Sequence, residues 1–368
     1  MIKKVIHIVL GKANPNKANG VNKVVCELAN AQTKKYNVEL WGITKNLVHN
    51  YPQRDFKTRL FRQTRMRFKL DPELVLSIKN IDSRFTMVHI HGGFIPENYS
   101  ATKLLRKKGV QYIFTCHGAY NSVALKKSKW GKSIFTRFFD RAIIKSSKGV
   151  QALGENEKKS ISRIDASANI LMIPNGQSKK DLSSDDSRSD RLELCFLGRI
   201  DIHTKGLDML MEAMNLVDKN KVHLTIIGAG GEMESLKDLI AKNKLSDKVT
   251  LSGALYGEMK DEALRNSDAL VLLSRNEGMP GVVLEAAAVG TPSIVSPGTN
   301  FIPYIEKYDA GYPIKSFDSE DIAQIFLKVR TAKRSGELKR KSQNSYHMVD
   351  DCFSWDRIVE EFSKAYAA

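Results

Sequence analysis

Short apolar runs that alternate with amphipathic stretches constrain the fold of this chain more than any other feature of its sequence. The runs are rich in Val, Ile and Leu, as buried strands are, and the stretches between them place apolar residues at helical spacing. One such stretch holds Val21, Val24, Val25 and Leu28. Strands that alternate with helices predict a parallel sheet with helices on both faces. Because the pattern occurs twice, the sequence predicts two doubly wound α/β domains.

The apolar runs place the individual strands and helices. The strands predicted in the first half are Val5–Leu10, Val38–Ile43, Thr86–His91, Tyr112–Cys116 and Gly149–Ala152. The strands predicted in the second half are Leu192–Leu197, Val222–Ile227, Val249–Leu251, Ala269–Leu273 and Ser293–Val295. The helices predicted between them are Leu207–Leu216, Met233–Asn243, Met259–Asn266 and Val282–Val289.

A turn marks the predicted boundary between the two domains. Pro174, Asn175 and Gly176 favour a turn, and residues 179–191 are polar without a periodic apolar face. The N-terminal domain is therefore predicted to span 1–174 and the C-terminal domain 175–353. Residues 354–368 predict a terminal helix with Ser354 as its N-cap. Its apolar face consists of Trp355, Ile358, Val359, Phe362 and Tyr366.

The net charge of the chain is +17 and is concentrated in the first half. Residues 1–176 carry 32 basic and 11 acidic residues, a net of +21, whereas the remainder carries 26 and 30, a net of −4. A strongly basic half favours an anionic partner, which is nucleic acid, anionic lipid or a phosphate-bearing substrate. The alternative is that the charge serves solubility alone.

Two basic clusters of the first half contain bulky apolar residues. Basic residues mixed with aromatic residues on a helix suit an anionic membrane surface. The alternative, of equal weight for the second cluster, is an aromatic core with a solvated basic rim. The first cluster runs from Lys57 to Lys69 and includes Arg59, Arg62, Arg65 and Arg67. The second runs from Lys126 to Lys148, with Trp130, Ile134, Phe138 and Phe135, Phe139, Ile143 at spacings of four.

Cysteine usage and the lack of long apolar runs indicate a cytoplasmic protein. The four cysteines have no spacing that is typical of zinc or disulfide frameworks. The apolar stretch Val5–Leu10 is too short for a signal peptide, and no run approaches the roughly 20 residues of a membrane-spanning helix.

Polar and glycine-rich residues that follow strands are the places to search for a ligand site, because open α/β sheets bind ligands at the carboxyl ends of their strands. Gly198 and Arg199 follow one strand, and Lys205 precedes a helix. Two cations near a helix N-terminus suit a diphosphate. The alternative of equal weight is a pair of surface cations.

A second glycine-rich segment, Gly228-Ala229-Gly230, also follows a strand. A dinucleotide fingerprint is disfavoured, because Met233 stands where its third glycine belongs and no acidic residue ends a following strand. Gly228 and Gly230 are therefore predicted to allow a tight turn and a close backbone approach to a ligand.

The most specific segment runs from Glu277 to Glu285. One carboxylate ends a strand and the other lies on the following helix, while Gly278 and Gly281 leave backbone amides open at the helix start. Carboxylates can accept hydrogen bonds from sugar or ribose hydroxyls, and the amides can donate to a phosphate. A solvated glutamate pair around a turn fits this glycine context poorly.

These motifs, in this order, resemble the retaining glycosyltransferases of family 4, the group 1 type with GT-B architecture. The resemblance covers most of the chain. It implies two Rossmann-like domains that face each other across a cleft, an N-terminal acceptor domain and a C-terminal donor domain, with the terminal helix returning to the N-terminal domain. The other matching segments are Pro174-Asn175-Gly176, Thr115-Cys116-His117-Gly118 and Phe353-Ser354-Trp355.

The resemblance also implies roles for single residues. Arg199 and Lys205 would hold the donor diphosphate, Glu277 would contact the transferred sugar, Glu285 the ribose, and His117 the reacting sugar. The catalytic set is thus His117, Arg199, Lys205 and Glu277. The remaining donor-binding residues would be Gly20, Gly198, Gly228, Gly230, Gly278, Met279, Pro280, Gly281 and Val282, and the acceptor residues His91 and Asn175. The family commonly has a glycine pair where this chain has Asn19-Gly20, so the loop Gly11–Asn19 is expected to differ in shape.

The implied chemistry needs no metal and no cofactor beyond the nucleoside-diphosphate sugar itself. The Asp-x-Asp metal motif of the other large glycosyltransferase fold is absent from the sequence, and positive side chains would replace the metal. His89 and His91 have no carboxylate or cysteine at ligand spacing, so no metal site is expected there.

The expected function is transfer of a hexose-type sugar to a glycan or a polyprenyl-diphosphate-linked acceptor in bacterial surface polysaccharide synthesis. The expected location is the cytoplasm or the inner face of the plasma membrane. The alternatives are a same-fold nucleotide-sugar enzyme such as an epimerase, or a non-enzymatic basic protein that binds nucleic acid or membrane. Nucleic acid is disfavoured, because the cations form no known reading motif.

Overall fold

The protein consists of two compact units. The structure, a computed structural model, describes residues 1–15, 20–120, 129–182 and 190–368, and of Lys129 and Trp130 it describes the backbone only. Unit 1 comprises Met1–Gly176 with Trp355–Ala368, and unit 2 comprises Gln177–Ser354. The sequence places the same divisions after residues 174 and 353.

Unit 1 contains a parallel sheet of seven strands within the described residues, in the order β3-β2-β1-β4-β5-β6-β7. The strands are β1 (Lys4–Leu10), β2 (Asn37–Thr44), β3 (Lys57–Arg62), β4 (Thr86–His91), β5 (Tyr112–Thr115), β6 (Gly149–Ala152) and β7 (Ile170–Met172). The described helices are α1 (Gly20–Gln32), α2 (Pro72–Lys79), α3 (Pro96–Lys108), α4 (Lys129–Phe135), α5 (Arg141–Ser146) and α6 (Glu155–Ile164). A π-helical turn, Thr136–Asp140, joins α4 to α5.

The C-terminal helix α15 (Trp355–Ala367) belongs to unit 1, as the resemblance implies. Its apolar face packs with Val5 and Met87 of the sheet. Polar contacts join this helix to the segment between α1 and β2, where the Tyr36 hydroxyl donates to Ser363 Oγ over 2.7 Å. Lys34 forms an ion pair with Asp356 over 2.6 Å. The buried side chains of the helix are Ile358, Val359, Phe362 and Tyr366.

Unit 2 contains a second parallel sheet, with six strands in the order β10-β9-β8-β11-β12-β13 among the described residues. The strands are β8 (Leu192–Leu197), β9 (Val222–Ile227), β10 (Val249–Gly253), β11 (Ala269–Leu272), β12 (Ser293–Val295) and β13 (Gly311–Pro313). The helices are α7 (Ile202–Lys205), α8 (Leu207–Leu216), α9 (Met233–Lys242), α10 (Gly257–Arg265), α11 (Gly281–Ala288), α12 (Ile302–Tyr308), α13 (Ser319–Ser335) and α14 (Glu337–Met348).

The predicted doubly wound class is confirmed, and the strands that the sequence misses all lie at or near sheet edges. Strand β3 is an edge strand with charged residues between its apolar ones. The charges discourage pairing with another strand, and they interrupt the apolar run from which a strand would be predicted. Strands β7 and β13 are edge strands of three residues each. A strand of three residues is too short to give a recognisable pattern, although β7 is apolar throughout and β13 is largely buried.

The first basic cluster is not a helix, contrary to the expectation that basic and aromatic residues mix on one. Lys57–Arg62 forms β3, and the rest of the cluster is a loop that leads to α2. Asp71 caps α2 by accepting from the Glu73 amide, and Pro72 occupies the first turn.

The second basic cluster shows features of both alternatives, because some of its apolar side chains are exposed and others are buried. Ile134 and Phe138 are 54% and 63% exposed, whereas Ile143 is buried. Phe135 and Phe139 pack on each other, with ring centroids 4.9 Å apart. The residues 126–128 of this cluster, the side chain of Trp130, most of the 179–191 linker and residues 16–19 of the first loop lie outside the description. Among the described helices, none has the length and apolar character to cross a bilayer.

Candidate active site

Three of the predicted charged residues of unit 2, Arg199, Lys205 and Glu277, follow the carboxyl ends of β8 and β11. These two strands are neighbours at the centre of the sheet, where the strand order reverses. Ligands of open α/β sheets bind at such a reversal point. The loop after β8 carries Arg199 and leads to Lys205, and the loop after β11 carries Glu277.

Lys205 and Glu277 form a hydrogen-bonded ion pair in the structure. Their side chains are 16% and 17% exposed, so both are largely buried but remain in contact with solvent. The Ser274 hydroxyl donates to the same carboxylate oxygen of Glu277 over 3.0 Å. The sequence singles out both charged residues separately, and the structure brings them together.

Arg275 fixes the loop that carries Lys205, a role that the sequence does not reveal. Its guanidinium binds the Asp208 carboxylate through two bonds of 2.8 and 2.9 Å and donates to the His203 carbonyl. Its own amide donates to the Thr204 carbonyl over 3.0 Å. The β11 loop therefore holds the segment that precedes α8 by backbone and side-chain bonds together.

Arg199 extends from the end of β8 with a side chain that is 69% exposed. One guanidinium nitrogen donates to Asp201 over 3.1 Å. Asp201 in turn caps α7 by accepting from the Thr204 amide. Because only one nitrogen of the fork is used in this contact, the others can bind an anion.

Gly228 and Gly230 face the loop after β8, while their predicted approach to a ligand stays a prediction. A Cβ on Gly228 would lie 1.9 Å from the Gly198 carbonyl oxygen, and one on Gly230 would lie 2.3 Å from that of Ile200. The glycines are thus required because the β9 loop packs directly on the β8 loop. The packing of the β9 loop on the β8 loop helps to hold Gly198 and Arg199 in position.

Helix α11 begins at Gly281 without a side-chain cap, because Pro280 occupies the N-cap position. Its first amides therefore remain available, and a helix N-terminus favours an anion. Met279 is 7% exposed, Pro280 is buried and Val282 is half-buried. Asn300 supports the preceding turn by donating to the carbonyls of Glu277 and Gly278 over 2.9 and 2.7 Å.

Glu285 pairs with Lys260 of α10, a partner that sequence inspection misses. The Nζ–Oε2 distance is 2.8 Å, and the two side chains are 15% and 11% exposed. The carboxylate lies one turn into α11, at position five of the helix. It is therefore held in a fixed orientation near the uncapped helix start.

In unit 1, His117 stands in a tight turn directly after β5. Its φ of +53° is in the left-handed region, which is uncommon for a residue with a side chain. Glu157 of α6 holds this turn by accepting from the Gly118 amide over 2.6 Å and from Cys116 Sγ over 2.8 Å. The other oxygen of Glu157 accepts from the Leu153 amide over 2.8 Å. This buried carboxylate has no signature in the sequence.

Two other predicted residues of unit 1, His91 and Asn175, are less accessible than expected, whereas Gly20 is exposed. His91 is 1% exposed, and both of its ring nitrogens bond to other histidines, so it does not fit the expectation that it lines an acceptor site. Asn175 is 7% exposed in the segment that ends the unit. Gly20 is the exposed first residue of α1, directly after the residues outside the description.

Burial governs the ionisation of the unit 1 groups. It lowers the pKa of His7 to about 4, although the hydrogen bond that His7 donates to Gln32 acts to raise it, and it lowers the pKa of His117 to about 4. Burial raises the pKa of the Cys116 thiol, and the adjacent Glu157 raises it further, so the thiol stays protonated and donates. The histidines are therefore neutral at pH 7.

Family models match both units. The model described as Glycosyltransferase Family 4 matches residues 18–178, and the model described as Glycosyl transferases group 1 matches residues 177–347. Together they cover the chain continuously through most of its length.

Curated relatives are glycosyltransferases of several kinds. The chain is 27% identical over 180 residues to an uncharacterised glycosyltransferase of Methanocaldococcus jannaschii, covering 49% of this chain and 45% of the relative. It is 25% identical over 244 residues to a GDP-mannose:cellobiosyl-diphosphopolyprenol alpha-mannosyltransferase of Xanthomonas campestris, covering 65% and 62%. The match thus spans less than two thirds of either relative. The enzyme of the same description in Xanthomonas oryzae is 24% identical over 309 residues, covering 82% and 77%.

Solved structures share the fold over the whole chain. Sucrose-phosphate synthase from Thermosynechococcus elongatus superimposes with a TM-score of 0.81 at 18% identity and covers 99% of this chain and 98% of its own. TarM of S. aureus, in a complex with UDP, has a TM-score of 0.79 at 13% identity, with both chains covered completely. The fold is therefore GT-B. The chain belongs to the group 1 glycosyltransferases of family 4.

Proposed function

We propose that this chain is a retaining, metal-independent glycosyltransferase that moves a hexose-type sugar from a nucleoside-diphosphate sugar to a glycan or lipid-linked acceptor. We place its role in the synthesis of a bacterial surface polysaccharide. The observation that carries the proposal is that Arg199, Lys205 and Glu277 follow β8 and β11 at the reversal point of the unit 2 sheet, where Lys205 and Glu277 form an ion pair. The uncapped start of α11 follows Glu277 in the same loop.

The chemistry of this arrangement suits a nucleotide sugar. A diphosphate offers two anionic groups, which can bind the Arg199 guanidinium, the Lys205 ammonium and the α11 amides. Glu277 can accept a hydrogen bond from a hydroxyl of the transferred sugar, and Glu285 one from the ribose. The Lys205–Glu277 pair keeps both groups in place before the donor binds.

Bond cleavage would leave negative charge on the nucleoside diphosphate and positive character on the anomeric carbon. Cations fixed at the leaving group stabilise that charge as it develops, and Arg199 and Lys205 would do so here. The acceptor would attack from the face that the leaving group vacates, with a donor phosphate oxygen taking its proton. We assign no side-chain nucleophile.

Two observations support an acceptor on a lipid carrier. The Xanthomonas relatives are described as acting on a diphosphopolyprenol, and the basic residues of this chain are concentrated in unit 1. A basic surface attracts both a diphosphate and an anionic lipid leaflet.

We also propose that unit 1 associates peripherally with an anionic membrane. Its aromatic cluster, defined as Phe68, Tyr99, Phe135 and Phe139, joins the two basic segments, with Phe68 and Phe139 ring centroids 4.8 Å apart. Exposed apolar side chains lie on the same two segments. They are Met66, Phe68, Ile134 and Phe138, which are 66%, 45%, 54% and 63% exposed.

A transfer assay tests the proposal. The purified chain is incubated with UDP-, GDP- and ADP-hexoses and an extract of lipid-linked acceptors, in the presence of EDTA, and the product is analysed by NMR. We expect one donor to yield its nucleoside diphosphate and a product with the anomeric configuration of that donor. Inverted configuration, a requirement for added metal, or conversion of the donor without transfer, as by an epimerase, would each contradict the proposal.

A matched pair of variants links the reaction to the site. Lys205→Ala should lower kcat by about 10² to 10³, the usual effect of removing one charge-stabilising donor. Lys237→Ala removes a lysine that is 53% exposed on α9 and that pairs, among the described residues, with Glu234 of its own helix. It should leave the rate unchanged. Equal rates for the two variants would remove Lys205 from the site.

A further inference from the structure

Three histidines and a glutamine form a hydrogen-bonded chain inside unit 1. His7 lies in β1 and His91 in β4, and Nδ1 of His7 lies 2.9 Å from Nε2 of His91. Nδ1 of His91 lies 3.0 Å from Nε2 of His117. At the other end, Nε2 of His7 lies 2.7 Å from Oε1 of Gln32.

The rings are aligned for bonds in the plane of each imidazole. The His7 and His91 planes are 13° apart, and their centroids are separated by 5.2 Å, which is the 2.9 Å contact plus one ring radius at each end. The His91 and His117 centroids are also 5.2 Å apart. The contacts thus run along the lines between ring centres, where imidazole protons and lone pairs point.

The direction of the protons follows from the amide of Gln32. This amide presents its oxygen to His7 and its nitrogen to the Tyr366 hydroxyl, 2.8 Å away on the C-terminal helix. Because a carbonyl oxygen only accepts hydrogen bonds, His7 carries its proton on Nε2, and its Nδ1 is unprotonated. His91 must then donate from Nε2, which leaves its Nδ1 to accept from Nε2 of His117. Each neutral ring carries one proton, so His117 is left with a bare Nδ1.

The protonation of a neighbouring histidine, His89, follows in the same way from its hydrogen-bond partners. Gln151 donates its amide nitrogen to the Ile173 carbonyl, so its oxygen accepts from the Thr115 hydroxyl over 2.6 Å. Thr115 therefore accepts from Nε2 of His89 over 2.6 Å. Nδ1 of His89 is therefore unprotonated, and this nitrogen has no hydrogen-bond partner among the described residues.

A metal ion is a poorer explanation of this cluster, although nitrogens of His7, His89 and His91 lie within 4.8 Å of one another. A metal must lie in the plane of every imidazole that binds it, at about 2.0–2.1 Å for zinc. The His89 ring is stacked on that of His91, with centroids 4.3 Å apart and planes at 27°. Lone pairs of stacked rings run alongside each other and do not meet at one point.

We infer that this series of hydrogen-bonded side chains fixes the tautomer of His117. The unprotonated Nδ1 of His117 then accepts a hydrogen bond from a substrate hydroxyl. His91, His7, Gln32 and Tyr366 act as positioning residues, and the C-terminal helix thereby contributes to the site of unit 1. The inference rests on the proposed sugar transfer and deepens it.

Two further observations support the role of His117. His117 is only partly buried as a residue, and its Nδ1 has no partner among the described residues. The four rings are neutral at pH 7, because burial lowers the pKa of each. A neutral ring with a bare lone pair suits a reaction in which positive character develops on the sugar, whereas an imidazolium would oppose it.

The direct test is the proton position on His117, which needs no substrate. Two-bond ¹⁵N–¹H spectra of the full chain with labelled histidine report which ring nitrogen carries the proton, and His117→Asn identifies the His117 signals. We expect His117 to be protonated on Nε2 at pH 7. A proton on Nδ1 would overturn the inference.

Gln32 provides the functional test. Gln32→Met removes the oxygen that directs the chain, whereas Gln32→Glu keeps an acceptor at the same place. In Gln32→Met we expect a mixed His117 tautomer and a kcat/KM for the sugar donor lowered about tenfold or more. Gln32→Glu should restore the wild-type tautomer and most of the rate. Tyr36→Phe removes the hydrogen bond from the segment after α1 to Ser363 of the C-terminal helix and keeps the aromatic ring that contacts Tyr366, so it should change neither.

The two proposals fail in different ways. A Gln32→Met chain that keeps both the tautomer and the rate would overturn the positioning role while leaving sugar transfer intact. Nucleotide binding by unit 2 should be unchanged in Gln32→Met, so a loss of that binding would also count against the inference. A predicted tautomer in a chain that transfers no sugar would instead refute the proposed function.

Discussion

At the scale of single residues, the ionic contacts of unit 2 determine how the proposed donor would bind. Glu285 already pairs with Lys260, and Glu277 with Lys205, so a ligand finds carboxylates whose orientation is set. The sequence predicts these carboxylates from their spacing, because both belong to one loop and helix. It does not predict Lys260, Asn300 or Arg275, because their contacts join segments that are distant in the chain.

Glu285→Gln should weaken nucleotide binding, because an amide is a weaker acceptor for a ribose hydroxyl than a carboxylate. The expected loss is about 10- to 100-fold in Kd, the range for hydrogen bonds to charged groups. Calorimetry with the preferred nucleoside diphosphate measures it. Glu262→Gln, an exposed change on α10, is the control, and an unchanged Kd for Glu285→Gln would refute the ribose assignment.

Glu157→Gln should loosen the turn that holds His117. The carboxylate accepts three hydrogen bonds through its two oxygens, and an amide nitrogen at either position would face a donor. We expect a loss of about 1–3 kcal/mol in the unfolding free energy of unit 1 and a lower kcat. Glu155→Gln, on the same helix, changes only an exposed pair with Lys158 and should have little effect. Similar results for both variants would contradict this role of Glu157.

At the scale of elements, the sheet of unit 1 buries histidines that the sequence shows only as strand residues. Strand β1 aligns His7 with His89 of β4, and β4 aligns His91 with Thr115 of β5. The period of two predicts which side chains share a face of the sheet. The sequence does not predict their bonds to Gln32 and Tyr366, because these depend on how α1 and α15 pack on that face.

The buried histidines should make unit 1 less stable in acid. An unfolded histidine binds a proton near pH 6.5, whereas His7 and His117 bind theirs near 4. Between these values the unfolded chain holds more protons, so the unfolding free energy falls as the pH falls from about 6.5 towards 4. Asp140 acts in the opposite direction, because burial raises its pKa to about 7 and its contribution is lost as the pH rises through that value.

Urea unfolding at pH 7 and pH 5 measures this effect. Trp41, Trp130 and Trp355 all belong to unit 1, so tryptophan fluorescence follows that unit. We expect lower stability at pH 5 in the wild type and a smaller loss in His7→Asn, which removes one titrating ring. An identical loss in the variant would show that His7 does not contribute.

At the scale of the whole molecule, the uneven charge and the exposed aromatic surface favour a membrane-associated enzyme. The sequence predicts two α/β domains and most of their central strands, because buried parallel strands have continuous apolar runs. It leaves open whether the basic clusters bind lipid, because exposure of Phe138 and burial of Ile143 depend on tertiary packing.

Ile134→Ser with Phe138→Ser should reduce sedimentation with vesicles of phosphatidylcholine and phosphatidylglycerol. Arg65→Glu with Lys69→Glu should also reduce it, and more strongly at low salt, because surface attraction is screened by ions. Arg67 is left unchanged, because it pairs with the buried Glu97 carboxylate. Met259→Ser, at an exposed apolar position of unit 2, is the control. Equal sedimentation of all variants would contradict membrane association through unit 1.

The central claim is a nucleoside-diphosphate site in unit 2, and thermal unfolding with UDP, GDP and ADP in the presence of EDTA tests it most directly. A ligand at a hundred times its Kd stabilises the folded state by about 2.7 kcal/mol, which shifts the unfolding midpoint visibly. The account predicts that one nucleotide raises the midpoint and that Lys205→Ala removes the effect. No shift with any of the three, or a shift that persists in Lys205→Ala, would contradict it.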